Sequence, residues 1–133
     1  MCKSDEIMKL CDQVREISYA IHLYHGSGYL EKVYQNALVH RLQEAGFRIM
    51  QQQPITIYDE DGTIIGEYFA DIIVNDAILI ELKVCKTLTN EHKSQLLHYL
   101  KATAIKHGML INFGSYRFEV LKYIGKKFQS AGP

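Results

Sequence analysis

Residues 77–84, with the sequence AILIELKV, constrain the fold of this chain more than any other segment. Apolar side chains occupy both sets of alternating positions, which is typical of a strand that is covered on both of its faces. Such a strand needs a layer of structure on each side, and amphipathic helical patterns stand both before and after it. We therefore predict an α/β fold in which a central mixed β-sheet is flanked by helices.

The remaining apolar periodicities predict the element order helix, helix, three strands, helix, two strands. Spacings of three and four residues indicate helices over residues 4–25, over residues 30–46, and from Thr89 or Asn90 to about His107. Strands are predicted at residues 55–59, 63–74, 77–84, 108–113 and 116–124. The first two strands form a hairpin, and the step over residues 78–113 predicts a right-handed strand-helix-strand crossover.

The length of 133 residues and the hydrophobic content of 47% are sufficient for one core, and no repeat or linker divides the chain. We predict a single domain over residues 1–133 with a frayed tail from about residue 126. No stretch approaches the roughly 18 consecutive apolar residues of a membrane span, and the N-terminal segment lacks the apolar run of a secretory signal. Cys2, Cys11 and Cys85 lack metal-ligand spacing and are interpreted as free thiols. These features predict a cytoplasmic protein without a membrane segment.

The charges are balanced overall but unevenly distributed along the chain. The net charge of zero argues against the uniformly basic surface of a strong non-specific nucleic-acid binder. Residues 1–82 hold 6 Lys or Arg and 13 Asp or Glu, whereas residues 83–133 hold 9 and 2. Either an acidic cluster that can hold a cation faces basic residues that can hold phosphates, or the charges are scattered over the surface without a function.

Three ionisable residues interrupt the segments that are predicted to be interior. Asp71 lies within FADIIV, and Glu81 and Lys83 lie within AILIELKV. Burying a charge is costly unless it is paired or bound to a metal. Glu81 and Lys83 project from the same face of a strand, and Asp71 joins them if two antiparallel strands meet near the turn at residues 75–76.

Two chemical interpretations of these three residues remain open. In the first, the two carboxylates and a backbone carbonyl bind a hard cation such as Mg²⁺, which activates a water while Lys83 orients that water or stabilises charge on a phosphate. In the second, Glu81 and Lys83 form a buried ion pair, and Asp71 is hydrogen-bonded to the backbone. The first interpretation predicts phosphodiester hydrolysis, and the second predicts only structural support.

Two helical features favour the first interpretation. Glu31 lies on the helix side that Tyr34 and Leu38 share, which directs its carboxylate towards the core margin as a further metal ligand. Its alternative role is that of a first-turn acid favoured by the helix dipole. Gln95 and Tyr99 are four residues apart and share one helix face, where they can orient the lysine or a phosphate oxygen. Their alternative role is that of an ordinary helix flank.

Together these residues resemble a known family of enzymes. Asp71, then Glu81-Leu82-Lys83, then Gln95 and Tyr99 resemble the D…(D/E)xK…QxxxY series of the PD-(D/E)xK nuclease superfamily in its RecB-like branch. Residues 28–34, GYLEKVY, with the later NFG at residues 112–114, resemble the small bacterial and archaeal GxxExxY proteins. The similarity runs from about residue 5 to 125. Ala70 stands where the older signature has a proline.

The resemblance implies a restriction-endonuclease-like fold and a metal-dependent nuclease that acts on DNA or RNA. It implies that Asp71, Glu81, the Leu82 carbonyl and Glu31 bind Mg²⁺ or Mn²⁺, and that Lys83 and Gln95 take part in catalysis. It further implies supporting or substrate-binding roles for Tyr99, Tyr34 and Gly28. DNA is the expected partner, and a homodimer would let so small a domain span a duplex. The alternative is an inactive module of the same fold that binds nucleic acid or a protein partner.

Overall fold

The structure is a computed structural model that describes residues 3–125. It contains three helices, α1 (Lys3–His25), α2 (Glu31–Glu44) and α3 (Asn90–Lys101). It also contains five strands, β1 (Ile49–Tyr58), β2 (Ile64–Val74), β3 (Ile78–Lys83), β4 (His107–Asn112) and β5 (Glu119–Ile124). The predicted order of elements is confirmed. The predicted tail at residues 126–133 and Cys2 lie outside the described residues, whereas Cys11 and Cys85 are free thiols.

The five strands form one mixed sheet in the order β1-β2-β3-β4-β5. Strand β3 is at the centre, antiparallel to β2 and parallel to β4, and the outer pairs are antiparallel. The parallel pair is connected through α3, as the strand-helix-strand pattern predicts. The mixed sheet with flanking helices confirms the restriction-endonuclease-like α/β fold. No helix within the described range is long and apolar enough to cross a membrane.

Two hydrophobic clusters cover the two faces of the sheet. The first cluster joins α1 and α2 to the face that carries Ile78, Ile80 and Leu82 of β3. The second cluster joins α3 to the face that carries Leu79. Successive β3 side chains therefore enter opposite cores, which explains why residues 77–84 are apolar in both phases.

A tight turn connects β2 to β3. Asn75 and Asp76 adopt left-handed backbone angles, with φ values of 52° and 53°, and the Ala77 N–H donates to the Val74 carbonyl over 2.9 Å. Asn and Asp tolerate this conformation better than most residues do. The turn sets the register that places Ile72 opposite Ile80.

Some predicted boundaries are wrong. Strand β1 begins at Ile49 and not at residue 55, so it includes three glutamines and Pro54. Proline is compatible with this position because β1 is an edge strand. Helix α3 ends at Lys101 and not at His107, because the Thr103 hydroxyl bonds the Leu100 carbonyl and the Ile105 N–H and so turns the chain.

Candidate active site

Asp71 and Glu81 lie opposite each other where β2 and β3 separate. The regular pairing ends at Ile72 and Ile80, and beyond it each carboxylate bonds the backbone of the other strand. The Asp71 N–H donates to Glu81 Oε2 over 2.9 Å, and the Leu82 N–H donates to Asp71 Oδ2 over 2.8 Å. The carboxylates thus replace the main-chain acceptors that a continued ladder would supply. The structure brings the two predicted acids together.

Lys83 follows Glu81 on the same face of β3 and contacts α3. Its Nζ donates to Gln95 Oε1 over 3.3 Å. Glu81 accepts from the Asp71 N–H, Lys83 bonds Gln95, and these two described residues form no ion pair with each other, so the alternative of a Glu81–Lys83 ion pair is wrong. The other half of that alternative, Asp71 bonded to the backbone, is correct. Gln95 is therefore more than a helix flank, because it holds the lysine ammonium group.

Tyr99 lies one turn beyond Gln95 and is buried, with 5% of its surface exposed. Burial, followed by the charge of Glu81 and the neighbouring Tyr68 and Asp71, raises the pKa of Tyr99 to about 12. Its hydroxyl therefore keeps its proton at neutral pH and can serve as a hydrogen-bond donor. Helix α3 thus brings Gln95 to Lys83 and places Tyr99 near the two carboxylates.

Glu31 is the first residue of α2, whose N-cap residue Leu30 makes no side-chain cap. The residue is exposed because the first turn of α2 is open to solvent, whereas its carboxylate is partly desolvated on the side of Asp71 and Lys83. Partial desolvation and then the charge of Asp71 raise the pKa of Glu31, while Lys83 lowers it. Glu31 therefore acts electrostatically on the site from the α2 side of the sheet.

The surroundings of Asp71 and Glu81 do not supply enough positive charge to offset the cost of burying their carboxylates. Burial, and then the charge of Asp71, raises the pKa of Glu81 from about 4.5 to about 8, and burial also raises the pKa of Asp71. In the described part of the chain, no three His, Cys, Asp or Glu side chains form a group that could hold a metal ion. The chemistry of the donors nevertheless fits a hard divalent cation, since the Asp71 and Glu81 carboxylates both lie against the backbone of the opposite strand, beside Leu82. Such a cation would compensate the burial and repulsion that these pKa values record.

Two glutamines that sequence reasoning missed support Asp71. Gln35 of α2 is buried, and its Nε2 donates to the Asp71 carbonyl over 3.3 Å and to Gln51 Oε1 over 3.4 Å. Gln52 donates to Gln35 Oε1 over 3.4 Å, so it supports Asp71 through Gln35. The only sequence signal was an uninterrupted run of three glutamines, which has no periodicity.

Gln52 also has a left-handed backbone, with φ of 48°, inside strand β1. Ile49 packs on the first core cluster and Ile55 belongs to the second, although regular alternation would place both on one face. On β2, Ala70 belongs to the second cluster and Ile72 to the first, although these two residues should also share one face. The paired strands therefore exchange faces at the level of Gln52 and Asp71. Strain of this kind concentrates at functional sites.

Tyr34 is buried in the first core cluster, with 1% of its surface exposed. Its hydroxyl donates to the Gly26 carbonyl over 2.5 Å and accepts from the Tyr29 N–H over 3.1 Å. Its ring stacks on Phe113 at 4.9 Å and 7°. Tyr34 is enclosed and fixes the loop that leads into α2, which favours the supporting role over the substrate-binding role of the two that were predicted. Gly28 in that loop is exposed, with nothing near the position of a Cβ.

The NFG segment fixes the end of β3. Asn112 is fully buried, and its Nδ2 donates to the Cys85 carbonyl while its Oδ1 accepts from the Cys85 and Gly114 N–H groups. A Cβ at Gly114 would lie 2.4 Å from the Cys85 nitrogen, so this position requires glycine. The Phe113 N–H donates to the Lys83 carbonyl over 2.9 Å. These contacts immobilise the backbone that carries Lys83.

The fold, the paired carboxylates and the lysine agree with a comparison of the sequence with protein families. A profile of the PD-(D/E)XK nuclease superfamily matches residues 8–123. The chain belongs to the PD-(D/E)XK nuclease superfamily. No curated protein matches this member of the superfamily.

A solved structure shows the same fold. The crystal structure of SSO0001 superimposes on this PD-(D/E)XK chain with a TM-score of 0.60 at 19% sequence identity. The alignment covers 93% of this chain and 63% of SSO0001, so the chain spans less than two thirds of that protein. At this identity the similarity supports the fold alone.

Proposed function

We propose that this PD-(D/E)XK protein is a metal-dependent nuclease that hydrolyses phosphodiester bonds, with DNA as its first expected substrate and Mg²⁺ or Mn²⁺ as its cofactor. The observation that supports this function most directly is the meeting of Asp71 and Glu81 at the open end of the β2–β3 hairpin. Lys83 lies on the same face as Glu81 and is held by Gln95. A purely structural site would not need a buried and a half-buried acid side by side, both with raised pKa values.

The side chains have distinct proposed roles. Asp71 and Glu81 bind the cation together with the Leu82 carbonyl, and Glu31 completes the acidic group from α2. When bound, such an ion supplies activation of a water molecule and neutralisation of charge on the phosphate. Lys83, oriented by Gln95, stabilises the charge that develops on the phosphate oxygens.

Tyr99 and the α2 loop complete the proposed assignment. The Tyr99 hydroxyl donates to a phosphate oxygen, while Tyr34 holds the loop so that Glu31 begins α2 at the correct place. This use of Glu31 and Tyr34, together with Gly114 and the buried Asn112, supports placement among the GxxExxY proteins of the RecB-like branch. We further propose a single cytoplasmic nuclease domain that pairs as a homodimer on a duplex.

The decisive experiment compares cleavage and metal binding in matched lysine variants. Purified protein with Mg²⁺ or Mn²⁺ is offered single-stranded, duplex and flapped DNA and the corresponding RNA. Lys83→Ala should abolish cutting, whereas Lys86→Ala, which removes the same charge from an exposed neighbouring position, should not. Absence of cutting on every substrate, with no metal binding by titration calorimetry, would refute the nuclease proposal.

One observation favours a second candidate function, a non-catalytic module that binds nucleic acid or a protein partner. The described residues contain no preformed group of three metal ligands. Metal-independent binding of DNA that survives Asp71→Ala with Glu81→Ala would support this module. Binding that requires Mg²⁺ and both carboxylates would support the enzyme.

A further inference from the structure

A cavity of about 700 Å³ opens between α3 and the outer part of the β1–β2 hairpin, beside the candidate active site. The side chains that matter for recognition share its walls: Thr56, Tyr58, Tyr68, Gln95, His98 and Tyr99. Gln95 and Tyr99 also belong to the candidate active site. The cavity therefore adjoins the site, since Gln95 lines the cavity and accepts a hydrogen bond from Lys83 of the site.

Three tyrosines give this cavity an aromatic wall. Tyr99 is buried at the base and its ring lies 5.1 Å from that of Tyr68. Tyr68 and Tyr58 remain 48% and 61% exposed, so their rings are open to a ligand. The exchange of strand faces at Gln52 and Asp71 places Tyr68, and not Phe69, on the side of α3.

The cavity has the size and chemistry of a site for a planar aromatic group. Volumes of about 300–1,000 Å³ are usual for small-ligand sites in proteins. Nucleobases stack on aromatic side chains, and the polar groups of Thr56 and His98 at the same wall can bond base edges. A base that is paired and stacked in a duplex cannot enter such a site until it leaves the stack.

We propose that this cavity binds an unpaired nucleobase next to the phosphate that Lys83 approaches, so that single strands or single-stranded flaps are the preferred substrates. This inference rests on the proposed nuclease function and adds the substrate class. The Lys83–Gln95 contact is the main support for this proposal, because Gln95 alone stands between the cavity and the proposed catalytic lysine.

Binding to a fluorescent base tests this proposal without cleavage. The Lys83→Ala protein is mixed with short single strands that carry 2-aminopurine at successive positions, since stacking on a tyrosine quenches this base. We expect quenching at one or two positions, and a loss of single-strand affinity of about tenfold for each of Tyr58→Leu and Tyr68→Leu. Duplex affinity should change by less than about twofold, because a paired base does not reach the cavity.

Tyr116→Leu is the matched control, because it removes a tyrosine that is 94% exposed and does not line the cavity. It should leave both quenching and affinity unchanged. The base site would be overturned by either of two results. In the first, the Tyr58 and Tyr68 variants bind single strands as tightly as the Lys83→Ala protein that lacks these changes. In the second, no 2-aminopurine position is quenched. If the protein that retains Lys83 cuts DNA without any preference for single strands, the inference fails while the nuclease proposal stands. If quenching occurs but no metal supports cutting, the base site stands and the nuclease proposal fails.

Discussion

The two ends of the β2–β3 hairpin are built on different principles. At the turn end, Ile73 pairs with Leu79 and Val74 with Ile78, and the backbone groups satisfy one another between buried apolar side chains. At the open end, carboxylates accept the N–H groups of the opposite strand. Placing acids there is unfavourable, as the raised pKa values of both carboxylates show. The regularly paired, buried turn end supplies the stability that offsets the cost of holding the two acids at the open end.

The largest expected effect separates activity from stability at the open end. Glu81→Gln keeps the size of the side chain and its acceptor for the Asp71 N–H but removes the charge that is proposed to bind a cation. We expect cleavage to fall by about a thousandfold or more, as when a positioned electrostatic group is lost. Single-turnover cleavage rates and urea unfolding of the same preparation measure the two quantities. Retained activity in this variant would remove Glu81 from the metal site.

A substitution at the neighbouring residue Ile80 should reduce stability and leave the cleavage rate nearly unchanged. Ile80 is fully buried in the first core cluster, so Ile80→Ala leaves a cavity and should lower the free energy of unfolding by about 2–5 kcal/mol. The rate of cleavage by the remaining folded protein should change little, because Ile80 faces away from Glu81. Urea unfolding, with activity corrected for the folded fraction, tests this pair. A loss of activity larger than the loss of folded protein would contradict the separation.

The raised pKa of Glu81 predicts how the stability of the metal-free protein depends on pH. The folded state holds this proton up to about pH 8, whereas the unfolded chain releases it near pH 4.5. Its contribution to stability is therefore complete below the lower value and is lost as pH rises through the higher one. Between about pH 5 and pH 8 the melting temperature should fall by several degrees, and Mg²⁺ should reverse this trend because it binds the ionised form.

Matched glutamine variants identify the residue responsible. Glu81→Gln should remove most of the decrease in melting temperature, whereas Glu67→Gln, at an exposed position of the same hairpin, should not. An unchanged decrease in the Glu81 variant would assign the effect to other groups. Asp71 and Glu31 act in the same direction because their pKa values are also raised.

A smaller effect tests the irregular backbone at Gln52. Gln52→Gly retains the left-handed conformation with less strain but loses the hydrogen bond to Gln35, the residue that bonds the Asp71 carbonyl. Stability should stay within about 1 kcal/mol of the original value, while activity should fall about tenfold because Asp71 is less firmly oriented. In a Mg²⁺ titration, the concentration that gives half of the maximal cleavage rate should rise, because the metal is bound less tightly. Unchanged activity would limit Gln52 to a role in folding.

These contrasts explain how far the sequence could predict the site. The hydrophobic pattern predicted the central strand, and the ten-residue interval placed Asp71 near Glu81, since both follow from regular alternation and a short turn. Gln35 and Gln52 escaped prediction because a one-residue change of strand face has no periodic signature. The exposure of Glu31 was also missed, since the helical pattern does not show how far the first turn extends beyond the core.

The smallest effect is expected at the turn end itself. Asn75→Ala removes a residue that tolerates φ of 52° and an acceptor for the Arg48 N–H, which it bonds over 2.8 Å. We expect a loss of about 1 kcal/mol in the free energy of unfolding, since a non-glycine residue without a polar side chain is disfavoured in this conformation. Asn75→Gly restores the backbone freedom but not the acceptor, so the two variants separate strain from hydrogen bonding. Activity per folded molecule should stay constant in both, because the Ile72–Ile80 pair, and not the turn, adjoins the carboxylates. If activity falls with stability, the two ends of the hairpin are coupled and the catalytic geometry depends on the turn.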